Sequence, residues 1–315
     1  MPRLASLFLP DLPIDRIRRA ARPERPAPSR AGQDVANDRI LTARGSGWRP
    51  GARWAREAMP TDLHIRSGAG ALVTMERQGN QNVIAAACPA ARALGLHPGM
   101  PLTKARVLVR DLDVRPADAE GDAAWLARLG LFAARRWTPR AALSGPDGLW
   151  LDLTGVTHLF DGEQAMAARI LGFCRRLGFA ARIAIAGSAG AAHALARFGG
   201  KRLILCHPGG EAEAIAAMPL AALRLDEAAL ATAARLGLTR IGELLAMPRG
   251  PLDRRFGRLL LTRLDQALGR VAEPFEPIVP EAPPRVTLRF VEPIATAEAI
   301  TEASAEGLRR LVPML

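Results

Sequence analysis

GLWLDLTGVTHLFDGEQAMAARILGFCRRLGFAARIAIAGSAGAAHALARFG, residues 148–199, decides the fold class. GLWLDLTG (148–155) reads as a strand and GEQAMAARILGFCRRLGF (162–179) as a helix. ARIAIAG (181–187) returns to strand, and SAGAAHALARFG (188–199) is a second helix whose Ser188 is suited to cap the first free backbone N–H groups. Just upstream, RAALSG (140–145) supplies a strand to pair with 148–155. Paired strands, helix, strand, helix is the order of an α+β sheet domain with helices on one face.

Working outward, AEGDAAWLARLGLFAARRW (119–137) is an amphipathic helix with Trp125, Leu129 and Phe132 on one face and Arg128 and Arg135 on another. ALVTMERQGNQNVIAAA (71–87) has the form of two strands turning at Gly79–Asn80, followed by helices at 89–96 and 101–109. LASLFL (4–9) is a short buried strand stopped by Pro10 and Pro13, and IDRIRRA (14–20) starts a basic helix. Between them, residues 21–70 are rich in Pro, Arg and Gly without periodicity and read as an irregular insertion.

Downstream, 208–270 is helical. ALATAARLGLTRIGELLAMPRGPLDRRFGRLLLTRLDQALG (229–269) contains a helix, a Leu-Gly-Leu turn and a second helix, the pattern of a helix-hairpin-helix. Glycine at such a turn lets backbone N–H groups approach a DNA phosphate. That singles out Gly237, Thr239, Arg240 and Gly242, with Arg254, Arg255 and Arg258 beyond them, as the DNA-binding candidates. The same residues also fit an ordinary helical hairpin with a glycine C-cap. A Pro-rich linker (271–284) leads to RVTLRFVEPI (285–294), read as a strand, and to a helix at 297–311. One strand and one helix do not make a domain, so 285–315 is expected either to pack on what precedes it or to be the beginning of a further, incomplete domain.

With 315 residues, the chain has room for two or three domains. Its formal charge is +12, from 43 basic against 31 acidic residues, and Lys104 and Lys201 are its lysines. Arginine's fork of donors suits phosphate, so the balance favours an anionic partner, although an Ala/Arg-rich composition alone would produce much of it. Cys88, Cys174 and Cys206 are far apart and His207 beside Cys206 has no second pair, which argues for a reducing compartment and against a zinc site. The apolar runs are too short to span a bilayer, so the expected location is the cytoplasm, with no membrane partner.

Segments 81–109 and 148–199 and the hairpin region resemble, in order and spacing, the palm, fingers and thumb of Y-family (UmuC/DinB-like) translesion polymerases. RVTLRF resembles the first strand of their little finger. The resemblance implies a palm and fingers over 1–20 and 71–207, a thumb over 208–270, and a little-finger-like start at 285–315. LWLDLTG followed by HLFDGE is most similar to the ImuB-like branch, whose members are regarded as non-catalytic.

Polymerase chemistry needs two divalent cations held by shared carboxylates. By the resemblance, the first-strand ligand falls at Phe8, which has no donor, and the adjacent Asp-Glu pair falls at Asp147–Gly148, where one carboxylate is lost. Asp152 matches a position that is not a ligand in active relatives, and Asp11 lies beyond Pro10. In the fingers, the tyrosine that would hold a triphosphate reads Pro89, while Arg92 remains; a further basic position falls near His193. The implied function is a DNA-binding adaptor in translesion synthesis and damage-induced (SOS) mutagenesis. Its implied partners are a RecA-like accessory protein, a DnaE-type error-prone polymerase and the sliding clamp, and it would need no cofactor. The rival reading is an active polymerase with a Mg²⁺ site rebuilt from Asp11, Asp147 and Asp152.

Overall fold

The computed structural model of the chain describes residues 2–21, 70–280 and 285–314, so the irregular insertion expected over 21–70 lies, apart from its end residues, outside the described residues. Strand β1 (Leu4–Phe8) is the centre of a five-stranded sheet ordered β5-β6-β1-β7-β8, with β5 Ala141–Leu143, β6 Gly148–Asp152, β7 Arg182–Ala186 and β8 Leu203–Leu205. β1 runs antiparallel to both neighbours, β6 and β7. Because side chains alternate across a sheet, Leu7, Leu149, Leu151, Ile183 and Ile185 form one face, while Phe8, Trp150, Ala184 and Ala186 belong to the other.

Both faces are covered. Helices α4 (Ala119–Arg136) and α5 (Glu163–Leu177) bury the leucine and isoleucine face, where Phe132 stacks on Phe173 and Trp125 on Phe179. Helix α6 (Ala189–Phe198) lies on the opposite face, correcting the expectation of helices on one face alone. The reason is steric: an alanine-rich helix facing Ala184 and Ala186 approaches closely enough to complete a second core. Ser188 caps α6, accepting from the Ala191 N–H at 3.1 Å.

A smaller sheet, β3-β2-β4, carries β2 (Leu72–Gln78) and β3 (Gln81–Ala87) around the expected turn, plus β4 (Asp113–Pro116) parallel to β2. Short helices α2 (Pro89–Ala93) and α3 (Leu102–Leu108) pack on it, and α1 (Leu12–Ala20) bridges it to the main sheet through buried Ile14. Neither β4 nor β8 has a sequence signal of its own, since each is three or four residues recruited by an existing strand.

Beyond the sheet come α7 (Glu211–Ala216), α8 (Glu227–Arg235), α9 (Ile241–Leu245), α10 (Arg249–Phe256) and α11 (Arg258–Ala267). Helix α11 joins the core of α6: Ser188 Oγ donates to the Ala267 carbonyl at 2.6 Å, and a Cβ on Gly190 would sit 2.7 Å from Ala267 Cα. The Pro-rich linker is held at two points, by Glu273 paired with Arg224 and Arg263 and by the Ile278 N–H on the Ala141 carbonyl at 2.7 Å. RVTLRFVEPI forms no strand, a correction with a plain cause: no described strand lies alongside to bond it. Helix α12 (Ala297–Leu311) forms where its amphipathic pattern places it.

Gly190→Leu should therefore push α11 from α6 and cost about 3 kcal/mol by overpacking. Gly250→Ala, where nothing lies near the added carbon, should change stability by less than about 1 kcal/mol. Urea unfolding of the two variants measures the contrast.

Candidate functional site: the sheet end at Phe8 and Asp147

The β1–β6 register sets Phe8 opposite Gly148, and the Leu9 N–H donates to the Asp147 carbonyl at 2.8 Å. The three sequence positions Phe8, Asp147 and Gly148 are thus brought together. What fills the space among them is Arg197, from the last turn of α6. Its Nη2 donates to Asp147 Oδ1 at 2.5 Å and to the Ser144 carbonyl at 3.3 Å. Its guanidinium carbon lies 4.5 Å from the centroid of the Phe8 ring, a cation–π arrangement. A Cβ on Gly148 would stand 2.7 Å from the Leu7 carbonyl oxygen and 3.1 Å from Arg197 Nη2. The close approach of the Leu7 backbone is what demands glycine at 148, and the guanidinium lies beside the space that this leaves.

The other two acidic positions are engaged elsewhere. Asp152 lies at the far end of β6, opposite Leu4, and is five residue steps along the chain from Asp147, roughly 16 Å at the usual rise. It accepts from the Thr154 N–H at 3.0 Å and pairs with Arg140 at 3.1 Å. Buried Asp11 accepts from Arg92 Nη1 at 2.6 Å. Two catalytic cations about 4 Å apart need shared carboxylates, and this arrangement does not fit them: Asp152 cannot reach Asp147, and Asp147 already holds a cation of the protein's own. Among the described residues no cluster of three His, Cys, Asp or Glu side chains could hold a metal.

Arg92 also donates to the Ala87 carbonyl at 2.7 Å, so it ties α2 and β3 to the start of α1. The hydrogen bond and charge of Asp11 hold its guanidinium above the ordinary arginine pKa. Both residues, with Asp147, Asp122 and Pro98, line a cleft of about 320 Å³ between the two sheets. Pro89 stands at the first position of α2 and offers no hydroxyl.

In the helical region, Gly237 adopts φ +73°, and its left-handed turn joins α8 to α9. Glu243 Oε2 accepts from the N–H groups of Thr239 (2.6 Å) and Arg240 (3.0 Å), so those two amides are engaged within the hairpin. The same bonds hold the Glu243 carboxyl below its usual pKa. Gly242 faces α7, where an added Cβ would lie 3.1 Å from the Ala216 carbonyl oxygen; helix packing accounts for this glycine. Arg254, Arg255 and Arg258 are exposed around Gly257, and none forms an ion pair with a described carboxylate.

Sequence reasoning missed Arg197. Its signal was position: it lies one helical turn beyond His193, on the face that meets the sheet. His193 itself is buried against Trp150, ring centroids 5.7 Å apart. Burial foremost, and then the charges of Arg197 and Arg224, pull its pKa down to about 3.

With this geometry established, comparison with known proteins places the chain. Residues 65–197 match the impB/mucB/samB family. These residues belong to that family. Over 215 residues the chain is 44% identical to Protein ImuB of Caulobacter vibrioides strain NA1000, and equally to that of strain ATCC 19089; the match takes in 68% of this chain and 46% of each relative. The chain thus spans about half the length of the curated relatives it matches. Similar solved structures include DinB from Sulfolobus solfataricus and an insertion ternary complex of Dbh DNA polymerase. Each has TM-score 0.57 at 15% identity, covering 87% of this chain and 69% of the other. The fold is that of Y-family polymerases. No described helix is long and apolar enough to cross a membrane.

Two outcomes are expected. Asp147→Ala strands a guanidinium whose side chain is 13% exposed and should cost about 3 kcal/mol, whereas Arg197→Met leaves a carboxylate that is 36% exposed and able to hydrate, costing about 1 kcal/mol. Denaturant melts of both variants give the order. His193 stays neutral in the fold, while the unfolded chain protonates below about pH 6.5. Stability is therefore complete above that pH and should fall by about 1.4 kcal/mol per unit as pH drops from 6.5 toward 3. His193→Gln should remove one proton's worth of that slope in melts between pH 7 and 5.

Proposed function

We propose that this chain is a DNA-binding, non-catalytic member of the Y-family polymerase group that acts as an adaptor in translesion synthesis and damage-induced mutagenesis, in the cytoplasm. The observation that carries this reading is the ion pair of Asp147 with Arg197 over the Phe8 ring. By the resemblance that assigns Phe8, Asp147 and Gly148 to ligand positions, a polymerase of this fold would hold its cations there. Phosphoryl transfer depends on metal charge to align the attacking oxygen and to stabilise the transition state. A guanidinium fixed on Asp147 cannot take up the several oxygen ligands that such an ion binds.

DNA binding is supported by the net charge of +12 and by the exposed arginines at the α10–α11 junction. The hairpin's part in it shifts accordingly. Thr239 and Arg240 spend their amides on Glu243, so the arginine side chains, Arg240 included, are the groups available for phosphate. Similarity to Protein ImuB supports the three protein partners: a RecA-like accessory protein, a DnaE-type error-prone polymerase and the sliding clamp.

Fluorescence anisotropy with duplex and primer-template DNA tests the binding arm. Affinity should fall steeply with salt, and replacing Arg254, Arg255 and Arg258 together by Ala should weaken it about tenfold and reduce the salt slope by about 2 to 3. Primer extension with Mg²⁺ or Mn²⁺ tests the other arm. No incorporation is expected; incorporation abolished by Asp147→Ala would overturn the adaptor reading in favour of an active polymerase.

A further inference from the structure

We propose that Arg197 is a built-in replacement for the metal: its guanidinium supplies the positive charge that other chains of this fold take from divalent cations, and it keeps such cations off Asp147. The inference rests on the non-catalytic reading above and deepens it, from a site that has lost ligands to a site that has gained a cation.

Loss of carboxylates alone would leave Asp147 facing the cleft with its charge unmatched. Instead, three independent features converge on one guanidinium. The carboxylate that survives is its partner, at 2.5 Å. The residue at the lost first-strand ligand, Phe8, presents its ring face at 4.5 Å, and an aromatic face attracts a cation without binding a metal. The residue at the lost second ligand, Gly148, has no side chain to intrude on Nη2, which an added Cβ would approach to 3.1 Å. The Ser144 carbonyl adds a neutral acceptor at 3.3 Å.

Phe8 and Gly148 thus stand as two walls of the arginine pocket, Gly148 being fixed as well by the Leu7 carbonyl oxygen, 2.7 Å from an added Cβ. The Arg197 side chain is largely withdrawn from solvent, 13% exposed, so a paired carboxylate makes its charge tolerable, and arginine does not discharge at any physiological pH. A divalent ion on the same carboxylate oxygen would lie about 4 Å from the guanidinium, where like charges repel strongly in a partly buried cleft. Asp11 is no alternative anchor, since it holds Arg92, and Asp152 lies at the far end of β6 and holds Arg140.

Thermal unfolding of the whole chain across a Mn²⁺ series, without DNA or nucleotide, tests this. The wild type and Phe8→Asp should not respond, because Arg197 remains between the carboxylates. Phe8→Asp/Arg197→Gln opens a two-carboxylate site and should gain about 2 °C in Tm at Mn²⁺ tenfold above its Kd. Adding Asp147→Ala should erase that gain. An Asp147-dependent Mn²⁺ response in the wild type, the same response in Phe8→Asp alone, or none in a double variant that circular dichroism shows to be folded would each overturn the proposal. Should the double variant not fold, the first two chains decide: silence supports the proposal and an Asp147-dependent response overturns it. A wild type that bound Mn²⁺ yet extended no primer would sink this inference and leave the adaptor reading standing.

Discussion

Strand β1 is bonded along both edges and covered on both faces, and the rest of the structure depends on its register. A shift of one residue against β6 would turn every side chain to the opposite face. Leu7 would leave the leucine-rich core and Phe8 would enter it. The alternation of LASLF forbids that shift, so Phe8 is bound to meet Gly148 on the side of α6. Everything at the sheet end follows from this: the depth of Asp147, the opening left by Gly148, and the direction from which Arg197 arrives.

The three acidic positions share one condition. Asp11, Asp147 and Asp152 each hold an arginine, drawn from α2, α6 and the segment before β5 respectively. The charge of each acid is matched by an arginine of the chain itself. The cleft between the sheets persists, but the groups lining it are committed to one another rather than to a ligand.

The fold was largely legible from the sequence because its long elements carry strong periodic signals. Helices α4, α5 and α6 and the β2–β3 turn stand where 119–137, 162–179, 188–199 and 71–87 place them. What escaped was relational. Asp113–Pro116 becomes a strand only because β2 offers an edge, and 285–294 fails to become one for want of such an edge. The choice of sheet face for α6 rests on how closely alanines can approach, which no single segment reveals. At the site, the resemblance pointed to Phe8 and Gly148 as lost-ligand positions, but nothing in the sequence pointed to the arginine that meets them. Arg197 lies 50 residues from Asp147 on a helix of small residues, and its role exists only in three dimensions. The hairpin shows the converse. Its turn glycine was legible, whereas the occupancy of its amides by Glu243 was not, because any helix start with a glutamate at that spacing looks alike in sequence.

The linker that follows α11 has one further consequence. By donating the Ile278 N–H to Ala141 and packing its side chain toward Gly130, it runs along β5, the outer strand of the main sheet. Unpaired sheet edges invite strands from other chains. Prolines on either side of this contact, at 274, 277 and 280, make the linker a poor template for further pairing, since each lacks a donor. The segment therefore works as a hem, closing the sheet on one border and fixing the palm surface from which whatever follows must start.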